Sequence, residues 1–236
     1  MKDVLYLDDA YLKEFDATVT SVTDGKFVVL DRTAFYPTGG GQPHDTGQMV
    51  TDDDREVRII YVGKFGGKVS HQIEPEGALK EGDAVHCIVD WDRRHTLMCY
   101  HTAAHVLSKV FHKDCGALIT GNQLNCERSR FDFNIPDFDR ELIQACVDKA
   151  NALIREDRPV KVYYLSREEV ERRGLTKLAK GLPEGLKILR IVEIEEFDVQ
   201  ADGGTHVQNT SEIGTLEIMK CENKGKGNRR VYFRLV

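Results

Sequence analysis

Near residue 90 the pattern of the chain changes, and this change limits what it can fold into more than any other feature. Before it, short apolar runs are separated by glycine-bearing turns and no long helical spacing appears. Residues 17–23 and 27–30 flank Asp24-Gly25, a strong two-residue hairpin signal. Residues 57–62 and 84–90 supply further short strands, with glycine-rich turns at 63–67 and 77–82. The economical arrangement for such strands is a small β-barrel. After the change, Leu97, Tyr100, Ala104, Leu107 and Phe111 form the apolar stripe of a helix over residues 93–113.

The rest of the chain mixes both periods. Strand-like segments near 117–124 and 129–133 precede a second amphipathic helix, in which Phe138, Leu142, Ile143, Cys146, Ala150, Leu153 and Ile154 recur at helical spacing. A strand at 160–165 leads into Ser166-Arg167-Glu168-Glu169, a capping pattern that opens a third helix. Residues 186–194, 214–220 and 230–235 complete an antiparallel sheet. The expected fold class is therefore α+β: an N-terminal β-barrel-like domain over 1–90, then an α/β two-layer sandwich over 91–236 with its helices on one face. No internal repeat or low-complexity tract interrupts it.

Whole-chain properties exclude some functions. No run approaches the roughly 20 apolar residues of a membrane span, and Met1-Lys2-Asp3-Val4-Leu5 does not open a signal peptide. Six cysteines without a Cys-x-x-Cys pair argue against a disulfide scaffold or zinc ribbon and for reduced thiols in the cytoplasm. A net charge of −6 argues against a general nucleic-acid coat protein but leaves room for a local basic face. Lys220, Lys224, Lys226, Arg229 and Arg230 crowd one turn between strand-like runs. Such a cluster is usually a solvated hairpin; on a nucleic-acid-binding surface it would contact phosphate.

The chemistry concentrates in two segments. His101-Thr102-Ala103-Ala104-His105 puts two histidines four apart, on one side of the first helix and at the rim of its apolar stripe, where a side chain can be half buried and still face a cleft. With eight histidines in the chain, one such pair is a weak signal by itself. Asp202-Gly203-Gly204-Thr205-His206 strengthens it by offering a third imidazole and a carboxylate at the same spacing. Three imidazoles and an oxygen, from Asp202 or water, make a tetrahedral zinc set. A further segment, residues 35–47, carries Gly39-Gly40-Gly41-Gln42 between an aromatic-proline entry and a proline exit. Consecutive glycines mark a tight path or a close approach to a ligand. With no Gly-Lys-Ser/Thr ending, this is not a nucleotide phosphate loop.

Taken together and in order, residues 35–47, Asp90-Trp91-Asp92-Arg93-Arg94, residues 101–107, Arg130-Phe131-Asp132-Phe133 and residues 202–207 resemble the editing domain of alanyl-tRNA synthetase. They resemble more closely its free-standing relatives, the AlaX proteins, of the medium-length class. The resemblance covers nearly the full chain. It implies an ATP-independent, zinc-dependent aminoacyl-tRNA deacylase that trans-edits mischarged tRNA(Ala), chiefly Ser-tRNA(Ala), with Gly-tRNA(Ala) an open second candidate. It also implies one zinc per chain at His101, His105 and His206. Most relatives carry cysteine where this chain has Asp202, so carboxylate or water takes the fourth position. No obligate protein partner is evident.

The same resemblance implies that Thr120 takes the approximate place of the family's polar residue contacting the amino-acid side chain, with Thr102 the second choice. Gly39, Gly40, Gly41, Gln42, Lys224, Lys226 and Arg229 are then the substrate-binding candidates. Zinc could generate a nucleophile by lowering the pKa of water to about 7, or hold the α-amino group or terminal ribose. Two other readings stand beside this one: a non-catalytic tRNA-binding module, and a zinc hydrolase of another small ester. Retention of all three histidines counts against the first. The missing Glu of a His-Glu-x-x-His motif counts against a peptidase form of the second.

Overall fold

In the computed structural model, which describes residues 3–134, 139–175, 185–225 and 227–236, the glycine-punctuated first part becomes six strands. These are β1 (Glu14–Thr23), β2 (Phe27–Leu30), β3 (Gly47–Thr51), β4 (Glu56–Phe65), β5 (Lys68–Glu74) and β6 (Ala84–Val89). They close into an antiparallel barrel in the order β1-β2-β5-β4-β3-β6. Phe15, Ala17 and Val19 of β1 alternate inward, as the two-residue period of a strand requires. Asp24 and Gly25 both adopt positive φ, the backbone sense of a primed hairpin turn. Two strands escape the sequence pattern. β3 is short, and β5 carries His71 at a core position between Val69 and Ile73, which breaks the apolar alternation.

That histidine is fully buried and satisfied. Its Nδ1 donates to the Val28 carbonyl at 2.9 Å, and its Nε2 lies 2.9 Å from Thr33 Oγ1, which accepts from the Phe35 N–H. Burial pushes its pKa down to about 4, against the help of the Val28 carbonyl.

The chain divides into two compact units, Met1–Thr96 and Leu97–Val236. The helix α1 (Trp91–Cys115) begins in the first, where Asp90 caps it by accepting from the Arg93 N–H. In the second unit follow β7 (Ile119–Gln123), β8 (Ser129–Phe133), α2 (Arg140–Arg155), β9 (Val160–Ser166), α3 (Arg167–Arg172), β10 (Ile188–Ile194), β11 (Asp198–Ala201), β12 (Leu216–Asn223) and β13 (Arg229–Leu235). Asp139 caps α2, whose Ile143, Cys146, Val147, Ala150, Leu153 and Ile154 are buried. Phe138, expected to begin that stripe, lies outside the described residues. Ser166 caps α3 by accepting from the Glu169 N–H.

The fold is thus mixed α+β, a six-stranded barrel with few helices, as the sequence predicts. Two expectations need correction. Residues 186–194 do not share a sheet with 214–220 and 230–235. β10 pairs with β9 and β11, while β12, β13, β8 and β7 form a separate four-stranded sheet. The reason lies in α1, which touches both. Phe111 stacks on Phe133 at 4.5 Å and Tyr100 meets Phe233 at 5.8 Å, while His105 and Lys109 reach Gln200 and Asp198. Contacted from two sides, α1 is buried around its whole circumference from Leu97 to Leu107. His101 and His105 are therefore not half-exposed at the rim of a stripe; they are 4% and 6% exposed. Among the described residues no helix is long and apolar enough to cross a membrane.

Candidate metal centre

One helical turn of α1 sets His101 and His105 facing the same way, and the chain after β11 brings the other two members to them. The Asp202 N–H donates to the Arg190 carbonyl, prolonging the β10–β11 ladder by one residue. Arg190 is buried, and its guanidinium donates to the carbonyls of Asp202 (3.0 Å) and Gly204 (2.9 Å). The Gly204 N–H in turn donates to Asp202 Oδ1 at 2.5 Å, so the loop turns on its own aspartate. His206 follows at four residues from Asp202.

The donor atoms of His101, His105, Asp202 and His206 all lie within 4.8 Å of one another. Asp202 Oδ2 is 3.5 Å from His101 Nε2 and 3.6 Å from His105 Nε2; Oδ1 is 3.2 Å from His206 Nε2. Zinc bonds of about 2.0–2.2 Å in a tetrahedron separate neighbouring ligand atoms by roughly 3.4 Å. One carboxylate oxygen stands near that spacing from His101 and His105 and the other from His206, and the donor chemistry of the four residues fits the group. Asp202 is 22% exposed and is the open corner of the set.

Thr102 explains how His206 presents the right nitrogen. Its hydroxyl donates to the Met98 carbonyl (3.0 Å), so it must accept from its other neighbours, the Val207 N–H (3.2 Å) and His206 Nδ1–H (3.2 Å). The proton on Nδ1 leaves the Nε2 lone pair directed into the cluster. His105 Nδ1 is 2.8 Å from Gln200 Nε2 and 3.7 Å from Asp198 Oδ2.

Charge in the cluster is self-consistent. Burial opposes ionisation of Asp202, but the surrounding His101, His105 and His206 hold its carboxyl well below the usual range. For His105, burial disfavours the cation, yet Asp198 and Asp202 raise its pKa to about 9. Burial, followed by the charge of His101, keeps His206 neutral. Asp202 is the ionised member of the cluster, and a metal ion bound there would compete with the proton that Asp198 and Asp202 favour on His105.

The other candidates fall elsewhere. Gly39 and Gln42 exchange backbone hydrogen bonds across a turn in which Gly40 and Gly41 adopt φ of 58° and 89°, so glycine is demanded by backbone sense. Gln42 is buried. Below that turn Asp45 accepts from the Tyr36 N–H and pairs with Arg94 in a fully buried ion pair, and Arg94 also donates to the carbonyls of Ala10 and Ala34. Thr120 is exposed on β7 and donates to Asn228 Oδ1 at 3.1 Å. Thr102 is wholly buried. Lys224 pairs with Glu222 at 2.8 Å, and Arg229 folds onto the Asn223, Gly225 and Asn228 oxygens of its own hairpin. Lys226 lies outside the described residues. Sequence reasoning missed Arg190, Asp198 and Gln200. A lone arginine in the apolar run Ile188-Leu189-Arg190-Ile191-Val192 was the signal available for the first.

Residues 189–232, which span the Asp202–His206 loop, match the family described as threonyl and alanyl tRNA synthetase second additional domain. Residues 5–93 match tRNA synthetases class II (A). The chain is similar to the alanyl-tRNA editing protein AlaX-M of Methanosarcina mazei, with 51% identity over all of this chain and 97% of that one. It is 42% identical to the protein of the same description from Saccharolobus solfataricus, over 99% of this chain and 98% of that one. To the alanine–tRNA ligase of Pyrococcus furiosus it is 39% identical over 97% of this chain but only 25% of the ligase.

Proposed function

Because the chain belongs to the AlaX-M family of alanyl-tRNA editing proteins, we infer that it hydrolyses the ester joining a wrong amino acid to tRNA(Ala), acting in trans on tRNA already released from its synthetase. We propose serine as its chief substrate and glycine as a second. Residues 91–236 form the zinc-bearing sandwich domain that carries this chemistry, and residues 1–90 the barrel domain with the glycine-rich segment. Substrate and free thiols alike suit a cytoplasmic setting.

The observation that carries the reading is the convergence of three imidazoles and one carboxylate, with only the carboxylate open to solvent. His101, His105 and His206 would hold one zinc ion, with Asp202 fourth. Bound there, zinc supplies a Lewis acid able to polarise an ester carbonyl or hold the substrate's α-amino group. The remaining work falls to the chain. An aminoacyl ester is already activated, so the site has to position it and a water. Asp202 is too weak a base, held ionised by its neighbours, to strip a proton from water; it orients. Arg190 fixes the loop that aims it, and Thr102 fixes the tautomer of His206.

Selection of serine over alanine rests on a polar group for the serine hydroxyl. Both hydrogen-bonding directions of Thr102 are in use, whereas Thr120 is exposed and can exchange Asn228 for substrate. Lys224 and Arg229, with Lys226 and the Gly39–Gln42 turn, remain the proposed tRNA contacts; Lys224 would exchange Glu222 for phosphate. Initial rates on Ser-, Gly- and Ala-tRNA(Ala) test the specificity. Thr120→Val should slow Ser-tRNA(Ala) about two- to twelvefold, one hydrogen bond's worth. An unchanged Ser-to-Ala rate ratio would remove Thr120 from recognition.

A further inference from the structure

The three-stranded sheet is covered unevenly. On one face Leu189, Ile191 and Val170 of α3 form a closed apolar cluster. On the other face, residues opposite one another across the ladder share a side: Tyr164 with Arg190, and Val162 with Val192 and then Gln200. Towards β11 this face is buried, with Arg190, Val192, Ile194 and Asp198 all below 9% exposure, and Gln200 reaches His105. Towards β9 the exposure rises. Val162 is 40% exposed, Tyr164 44% and Ile188 61%. An apolar, aromatic strip thus runs out from under the candidate metal centre onto the surface.

Its position relative to the cluster follows from the ladder. Tyr164 pairs with Arg190, and Arg190 pairs through its carbonyl with the N–H of Asp202. Strands lie about 4.8 Å apart, which places Tyr164 roughly 10 Å from Asp202, two strand positions away. Arg190 lies between them, its guanidinium on the carbonyls of Asp202 and Gly204. In an aminoacylated tRNA the terminal base hangs from the same ribose as the ester. With the ester at Asp202, that base must lie within one nucleoside of it. A single-stranded terminal base is recognised by stacking on aromatic faces.

We propose that the strip of Tyr164, Val162 and Ile188 is the stacking platform for the terminal nucleobase of the tRNA, with Tyr164 the ring beneath it. This rests on the hydrolytic reading above. Continuity with the site selects the occupant: a base tethered to the ester is the one apolar group that hydrolysis itself delivers to this face.

The test uses the full chain and a tRNA(Ala) whose terminal adenine is replaced by 2-aminopurine and whose serine is joined by an unhydrolysable amide. Wild type and Tyr164→Phe should quench the 2-aminopurine on binding, and Tyr164→Ala should lose most of the quench. Tyr164→Ala should also raise the KM for Ser-tRNA(Ala) about tenfold, within the range for one stacked base, with Tyr164→Phe close to wild type. Circular dichroism checks that the variants fold. Deacylation by the wild type with a quench indifferent to Tyr164 overturns this inference alone. Sedimentation showing that Tyr164 holds two copies together overturns it as well, by giving the face another occupant. No deacylation of Ser-tRNA(Ala) by the wild type overturns the hydrolytic reading, and this inference with it.

Discussion

Thr102 shows how much one residue between two candidate ligands can decide. Its hydroxyl donates to Met98, so its lone pairs take the protons of Val207 N–H and His206 Nδ1. Thr102→Val keeps the shape but removes that acceptor, leaving a buried N–H unpaired and the tautomer of His206 unset. Zinc affinity, measured by competition with a fluorescent chelator, should fall about 10- to 100-fold, the usual effect of losing such a partner. An unchanged affinity would mean that His206 is oriented by the loop alone. The sequence pointed to Thr102 as a neighbour of a ligand; what its hydroxyl does depends on a carbonyl four residues back and a loop 104 residues on, which no local pattern encodes.

At the scale of elements, the strand-turn-strand logic of the barrel rests on a buried ion pair. Arg94, at the start of α1, and Asp45, after the glycine turn, are both wholly buried, and the pair also gathers the Ala10 and Ala34 carbonyls and the Tyr36 N–H. Removing one partner strands the other charge, so Arg94→Met should cost about 3–5 kcal/mol in barrel stability by urea unfolding. A loss below about 1 kcal/mol would show that the pair is incidental. The hairpin at Asp24-Gly25, the helices α1 and α2 and the strand β8 were legible because each is a local pattern with its own period or turn. β3 and β5 were not, since one is short and the other places His71 where an apolar residue was expected. The division into two sheets was not legible either. Strand pairing is decided by partners far along the chain, and α1 needs cover on both sides. Within the candidate metal centre the four donors were visible as two spaced motifs, while Arg190, Gln200 and Asp198 were hidden in ordinary strand sequence.

For the whole molecule, acid stability and activity draw on different histidines. His71 is neutral and bonded inside the barrel, with a pKa near 4 against an ordinary 6.5. Because the folded value is the lower one, its contribution is fully present above pH 6.5 and is lost as pH falls towards 4. The shift corresponds to about 3 kcal/mol. Wild type should therefore lose roughly that much more stability over this window than His71→Gln, as read by urea unfolding at each pH. Parallel profiles would contradict the account of His71. The central claim is that His101, His105, His206 and Asp202 hold the zinc that editing needs, and one measurement reaches it most directly: deacylation of Ser-tRNA(Ala) beside Ala-tRNA(Ala) by protein stripped of metal and then titrated with zinc. The account predicts no activity when stripped, recovery that saturates near one zinc per chain, and Ala-tRNA(Ala) spared throughout. Full hydrolysis of Ser-tRNA(Ala) by the metal-free protein would contradict it.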